Sequence, residues 1–145
     1  MSITVGEILR DKGNQVLSTA PDATVYEALQ LMAQKDVGAL LVMERSRLVG
    51  IFSERDYARR LVLRGKFSKS TAVREVMTED VLTVSPSDGV EQCMDVMTRR
   101  RIRHLPVVER DAVVGVISIG DLVKAVISDQ RFTIGVLEQY ITGSK

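Results

Sequence analysis

Two aspartates stand three residues after a serine in matching surroundings. One is Asp56, in Gly50-Ile51-Phe52-Ser53-Glu54-Arg55-Asp56, and the other is Asp121, in Gly115-Val116-Ile117-Ser118-Ile119-Gly120-Asp121. Each stretch opens on glycine, runs through two apolar residues to serine, and leads into an apolar segment with helical spacing. It reads as a strand end, a tight turn and a first helical turn. A serine there caps the helix, and an acid at the third position favours the positive end of its dipole. An exposed carboxylate so placed can also accept the two neighbouring hydroxyls of a ribose, as an acid does at a strand end in dinucleotide folds. The free amides of the same turn then face a phosphate or hydroxyl. A single copy reads as a cap; two copies in one setting favour the ligand reading.

The elements that position these residues repeat as well. Shifted by about 65 positions, the sequence overlays itself without a gap for roughly 45 residues. Leu17 falls on Leu82, Pro21 on Pro86, Val25 on Val90, Met32 on Met97, Val42 on Val107 and Gly50 on Gly115. Upstream, Val5-Gly6-Glu7-Ile8-Leu9 resembles Val73-Arg74-Glu75-Val76-Met77, and the first copy carries a longer connection, 10–15.

Each repeat predicts a short lead helix (5–9, 73–77) and an extended piece ending near proline (16–20, 81–85). An amphipathic helix follows, with Val25, Ala28, Leu29 and Met32 on one face, and Val90, Cys93, Met94 and Met97 in the second copy. Next come two apolar strands forming a hairpin (39–43 with 48–52, 105–108 with 113–117) and a second helix (57–64, 122–128). Gly65 is placed to stop the first of these second helices. The predicted class is α/β (α+β): two tandem β-α-β-β-α repeats packed with pseudo-two-fold symmetry, because one repeat alone cannot cover both faces of its sheet. The boundaries read as repeat 1 at 1–65, a polar linker at 66–70, repeat 2 at 71–129 and a tail at 130–145. In the tail, Ile134, Leu137 and Ile141 share a helical face with Val136 and Tyr140 to the side, although Gly135 weakens that helix. The stripe suits packing on its own module or a dimer contact equally.

Composition narrows the function classes. The formal net charge is +1, which gives no support to bulk electrostatic binding of nucleic acid or an anionic membrane. The single cysteine, Cys93, excludes a disulfide framework, and the single histidine, His104, leaves little for a metal centre or a catalytic triad. No apolar run reaches the length of a membrane span, and the start lacks a secretory pattern, so a cytoplasmic protein is expected. Cys93, on an apolar face, reads as a core thiol. Arg99-Arg100-Arg101 with Arg103 reads as a solvated helix end that suits the dipole. Nucleic-acid binding is the alternative there, and no aromatic residues are interleaved to support it. A small nucleotide-processing enzyme is the more distant alternative, since His104 has no evident partner.

The repeat resembles the CBS domain, and the tandem pair resembles a Bateman module. The residues that carry the likeness are the lead helix, the Ser/Thr-x-x-Pro before a helix, Leu105-Pro106-Val107-Val108-Glu109, and the two Gly-x-x-Ser-x-x-Asp stretches; Leu41 departs from the pattern where Pro106 stands. The resemblance implies a stand-alone regulatory module with no catalytic domain, binding adenosine ligands such as AMP, ADP, ATP, NAD(H) or S-adenosylmethionine between the repeats, AMP foremost. It implies no metal, association as a homodimer, and signalling to an unidentified regulated protein. By position, one cleft would use Ser53, Arg55 and Asp56, with Thr78, Val81, Ile102, Arg103 and His104 from the other repeat. The second would use Ser118 and Asp121, with Val16, Val37 and Gly38; Arg103 is placed to serve either. The Asp56 cleft is the expected nucleotide site, because Gly120 replaces Arg55, and Gly38 and Ala39 replace Arg103 and His104, in the second. Without those cations, the Asp121 cleft is expected to be weaker, to take another ligand or to stay empty.

Overall fold

The computed structural model describes residues 3–142 and, beyond Gln130, the side chain of Glu138 alone. Thr4 opens helix α1, Val5–Lys12, by accepting a hydrogen bond from the Glu7 amide. A two-residue strand β1, Ser18–Thr19, leads to helix α2, Val25–Lys35, which starts at a full capping box between Thr24 and Glu27. α2 ends at Asp36 in the left-handed conformation. Strands β2, Ala39–Glu44, and β3, Arg47–Ser53, pair antiparallel, and β1 adds parallel to β2. The chain then turns at Ser53 into α3, Glu54–Asp56, and continues as a π-helix, Tyr57–Val62, with Gly65 at φ 70° beyond it.

The second repeat restates this plan: α4, Val73–Val76; α5, Val90–Arg100; β4, His104–Glu109; β5, Ala112–Ser118; and α6, Ile119–Thr142. Even the unusual backbone recurs. Arg101 ends α5 in the left-handed conformation as Asp36 ends α2, and both hairpin turns, Arg45-Ser46 and Arg110-Asp111, hold two residues at positive φ. Two positive-φ residues make the tight turn whose twist matches the flanking strands.

One strand is unequal, for a covalent reason. In the first sheet the Leu41 amide donates to the Leu17 carbonyl. Its counterpart in the second is Pro106, which has no N–H to give. The expected extended piece at 81–85 therefore pairs only through Val84, whose amide donates to Pro106 and whose carbonyl accepts from Val108.

The lead helices cross over. Val5, Ile8 and Leu9 of α1 are buried with Val90, Cys93, Met97, Leu105, Val107, Ile117 and Leu122 of the second repeat. Val73 and Val76 of α4, with Met77, are buried with Val25, Met32, Leu40, Val42, Phe52 and Leu61 of the first. Backbone bonds fix the exchange: Val5 N donates to Asp88 O, Val90 N to Ile3 O, Val25 N to Thr71 O and Val73 N to Ala23 O. Each core is thus completed by a helix that the sequence places in the other repeat.

The glycines that open the two serine–aspartate stretches face these helices. A Cβ on Gly115 would lie 2.7 Å from Leu9 Cδ2, and one on Gly50 would lie 2.7 Å from Met77 Sδ and 3.0 Å from the Thr78 carbonyl oxygen. Gly50→Val and Gly115→Val are expected to destabilise by about 1–3 kcal/mol each through overpacking. Urea unfolding checks this; unchanged midpoints would mean that the lead helices do not sit so close.

α6 runs unbroken where a helix at 122–128 and a separate tail were expected. Nothing in 129–133 breaks a helix, and one glycine costs only about 1 kcal/mol. The apolar stripe Ile134, Val136, Leu137, Tyr140 and Ile141 lies outside the described side chains.

Candidate functional site

Thr78 reaches the first aspartate because α4 packs on β3. The Ile51 and Thr78 backbones exchange two hydrogen bonds of 2.9 Å, which pins Thr78 to the edge of β3 just before Ser53. Thr78 Oγ1 then donates to Asp56 Oδ1 at 3.0 Å, while Asp56 Oδ2 accepts from the Ser53 amide at 3.0 Å and from its hydroxyl at 3.1 Å. Arg60 Nε lies 3.8 Å from Oδ1. The expectation of an exposed carboxylate is corrected: Asp56 is 7% exposed. An ionised carboxylate has about four acceptor sites. Three are engaged, so a diol would use the fourth and displace the Thr78 hydroxyl.

A cavity of about 660 Å³ opens beside Asp56, large enough for a nucleotide. Its wall carries every residue expected at the first cleft: Ser53, Arg55, Asp56, Thr78, Val81, Ile102, Arg103 and His104. It also carries residues that sequence reasoning missed, among them Arg59, Arg60, Asp80, Arg100 and Arg101. Six arginines thus face Glu54, Asp56 and Asp80 across one space. Arg60 is held by donating to the Met77 carbonyl at 2.8 Å, and Arg55 by donating to that of Arg101. Arg100 and Arg101 end α5 as expected, but at this wall. The surplus of guanidinium suits a multiply charged anion.

A second cavity, of about 410 Å³, ends on Asp121. Val37, Gly38, Ser118 and Asp121 line it as expected; Val16 does not, and its neighbours Gln15 and Leu17 do. Adjacent side chains of an extended segment point to opposite sides, so the one-residue difference inverts the facing. Arg103 lines the larger cavity and not the smaller. The expectation that this cleft lacks a cation is also corrected. Lys12, the last residue of α1, places Nζ 2.7 Å from Asp121 Oδ2 and donates to the Val116 carbonyl at 2.9 Å. Burial alone would raise the Asp121 carboxyl. The Lys12 and Ser118 hydrogen bonds outweigh it and hold the group below the ordinary carboxylate range.

Gly38, Ile51 and His104 belong to both walls, so the two cavities adjoin. Burial holds the His104 imidazole below its ordinary value; the Asp121 and Glu54 carboxylates oppose this, and Lys12 and Arg103 reinforce it. A histidine kept neutral by folding contributes stability that is present above its unfolded value, about 6.5, and lost as pH falls below it. Melting temperature is therefore expected to drop more between pH 7.5 and 5.5 for the parent than for His104→Asn. Parallel pH profiles for the two proteins would contradict this.

Cys93 is buried, and its thiol is pushed up to about 11 by burial and by Asp88. This is the environment of an inert core thiol. Among the described residues, no cluster of three or more acids, histidines or cysteines could hold a metal, and no helix is long and apolar enough to cross a membrane.

The sequence matches the CBS domain over residues 5–63 and again over 73–128. The mitochondrial CBS domain-containing protein CBSX3 of Arabidopsis thaliana is 40% identical over 151 residues, covering 98% of this chain and 73% of that protein. A solved protein with CBS domains from Burkholderia ambifaria MC40-6 superposes with a TM-score of 0.85 at 47% identity, covering 88% of this chain and 96% of that one. The CBS domain pair of protein MJ0100, solved with 5′-methylthioadenosine and S-adenosyl-L-methionine, shares the fold at a TM-score of 0.78 and 22% identity, covering 89% of this chain and 99% of that one.

Proposed function

We propose, for a chain that belongs to the CBS-domain family as a tandem pair, the role of an adenosine-ligand sensor. It binds AMP, or a related nucleotide such as ADP, ATP or NAD(H), between its repeats and passes the occupancy to a partner protein. The observation that carries this reading is the pair of cavities, each ending on the aspartate of a Ser-x-x-Asp helix start, with cations in the wall. The adenosine compounds bound by the MJ0100 pair support it at the level of the fold. In the first cavity Asp56 receives the ribose, the adenine lies near Thr78 and Val81, and Arg103 with the α5 end meets the phosphates. The second uses Ser118 and Asp121. Binding rather than catalysis is the output, in the cytoplasm.

The module acts as a homodimer. Val62, Leu63, Phe67, Val123 and Ile127 are large apolar side chains left exposed at or beside the second helices of the two repeats. Val62 and Ile127 are equivalent in the repeat, so the two second helices present apolar side chains at matching positions. Light scattering at micromolar concentration is expected to give twice the chain mass; a single-chain mass would exclude the dimer.

Mass spectrometry of small molecules released from natively purified protein tests the ligand class. An adenosine compound at near-stoichiometric amount is expected. No such compound, together with no calorimetric response to AMP, ATP or NAD, would overturn the reading.

A further inference from the structure

We infer that Lys12 sets the ligand class of the Asp121 cavity, admitting adenosine ligands that carry phosphate and disfavouring uncharged or cationic ones. The inference rests on the reading that Asp121 receives a ribose diol.

Lys12 belongs by sequence to the first repeat and by position to the second. Val5, Ile8 and Leu9 anchor α1 in the second core, and Gly13, at φ 92°, turns the chain away directly after Lys12. The ammonium is therefore delivered to Asp121 by a fixed helix end, not by a loose loop. It occupies one side of Oδ2, while the Ser118 amide donates to the same oxygen at 2.8 Å. The aspartate that would receive the diol is thus already neutralised by the chain itself.

The other cavity is built the opposite way. The segment after the second lead helix carries an acid instead, Asp80, which lines the Asp56 cavity. There the aspartate is met by the neutral Thr78 hydroxyl. The pair of clefts therefore differs in the charge that the lead segment contributes.

A diol that reaches Oδ2 of Asp121 shares that oxygen with the ammonium. A nucleoside offers the released ammonium only neutral acceptors, so its binding competes with the ion pair. A nucleotide offers a phosphate oxygen, a charge-assisted partner as good as the one lost. Lys35 on the same wall adds a second cation. A sulfonium ligand places like charge beside Lys12 and is opposed on both counts.

The test uses calorimetry on Asp56→Ala, in which the first cavity is disabled, with and without Lys12→Met. AMP affinity is expected to fall about tenfold on losing Lys12, while adenosine affinity holds or rises, so that the AMP-to-adenosine preference drops about tenfold or more. In the otherwise unaltered chain, Lys12→Gln is expected to weaken the second, lower-affinity AMP site about tenfold and leave the Asp56 site unchanged. An unchanged preference, or a parallel loss for both ligands, overturns the role of Lys12 while leaving nucleotide binding intact. Failure of the parent chain to bind either ligand overturns both readings.

Discussion

Separate expression of residues 1–65 and 71–145 is expected to give two chains that do not fold alone. The reason is the crossing of the lead helices. Residues 1–65 keep α1, whose partners Leu105, Val107, Ile117 and Leu122 are gone, and lose Val73, Val76 and Met77 from their own core. Burying an apolar side chain contributes about 1.5–3 kcal/mol. Three such losses per core come to roughly 5–9 kcal/mol, against a whole-domain stability of about 5–15 kcal/mol. Each fragment also exposes its vacated groove and one helix stripe. Circular dichroism is expected to show no cooperative transition for either fragment, and mixing them is expected to restore one. A monomeric, cooperative melt of 1–65 would show that the exchanged helices are dispensable.

Asp56→Ala is expected to weaken AMP binding about tenfold or more, because a diol loses a pair of charge-assisted bonds worth about 1.5–3 kcal/mol each. Asp121→Ala is expected to cost less, because the Asp121 wall offers a phosphate two lysines, Lys12 and Lys35, where the Asp56 wall offers six arginines. Arg103→Ala is expected to hurt AMP more than adenosine, since its guanidinium faces the phosphate region. If both aspartates merely favour helix starts, each substitution costs about 0.5–1 kcal/mol of stability and leaves affinity unchanged. Calorimetry on the three variants with thermal melts alongside separates these outcomes. Equal losses for the two aspartates would remove the asymmetry between the clefts.

The architecture was legible because a constant offset lets each repeat vouch for the other: a helix or hairpin weak in one copy is supported by its twin. The residues lining the Asp56 cavity were legible through the resemblance to CBS pairs and not through the offset, since Arg55, Arg103 and His104 have no like residue in the other repeat. The helix exchange was not, because Val-x-x-Ile-Leu and Val-x-x-Val-Met are apolar stripes that fit either core. Lys12 was hidden because it lies in 10–15, where the repeats differ in length and the offset fails. Thr78 was expected in the first cleft, but its hydrogen bond to the buried Asp56 depends on a tertiary bridge to Ile51 that no local pattern encodes. The Leu41–Pro106 difference was visible, and its consequence is a missing amide in one sheet.

The central claim is that an adenosine ligand lies between the repeats with its ribose on these aspartates. Diffraction from crystals grown in excess AMP tests it most directly. The ribose oxygens are expected within hydrogen-bond distance of the Asp56 carboxylate, with the phosphate toward Arg103. Clear nucleotide density elsewhere on the protein, or both cavities free of nucleotide at saturating AMP, would contradict it.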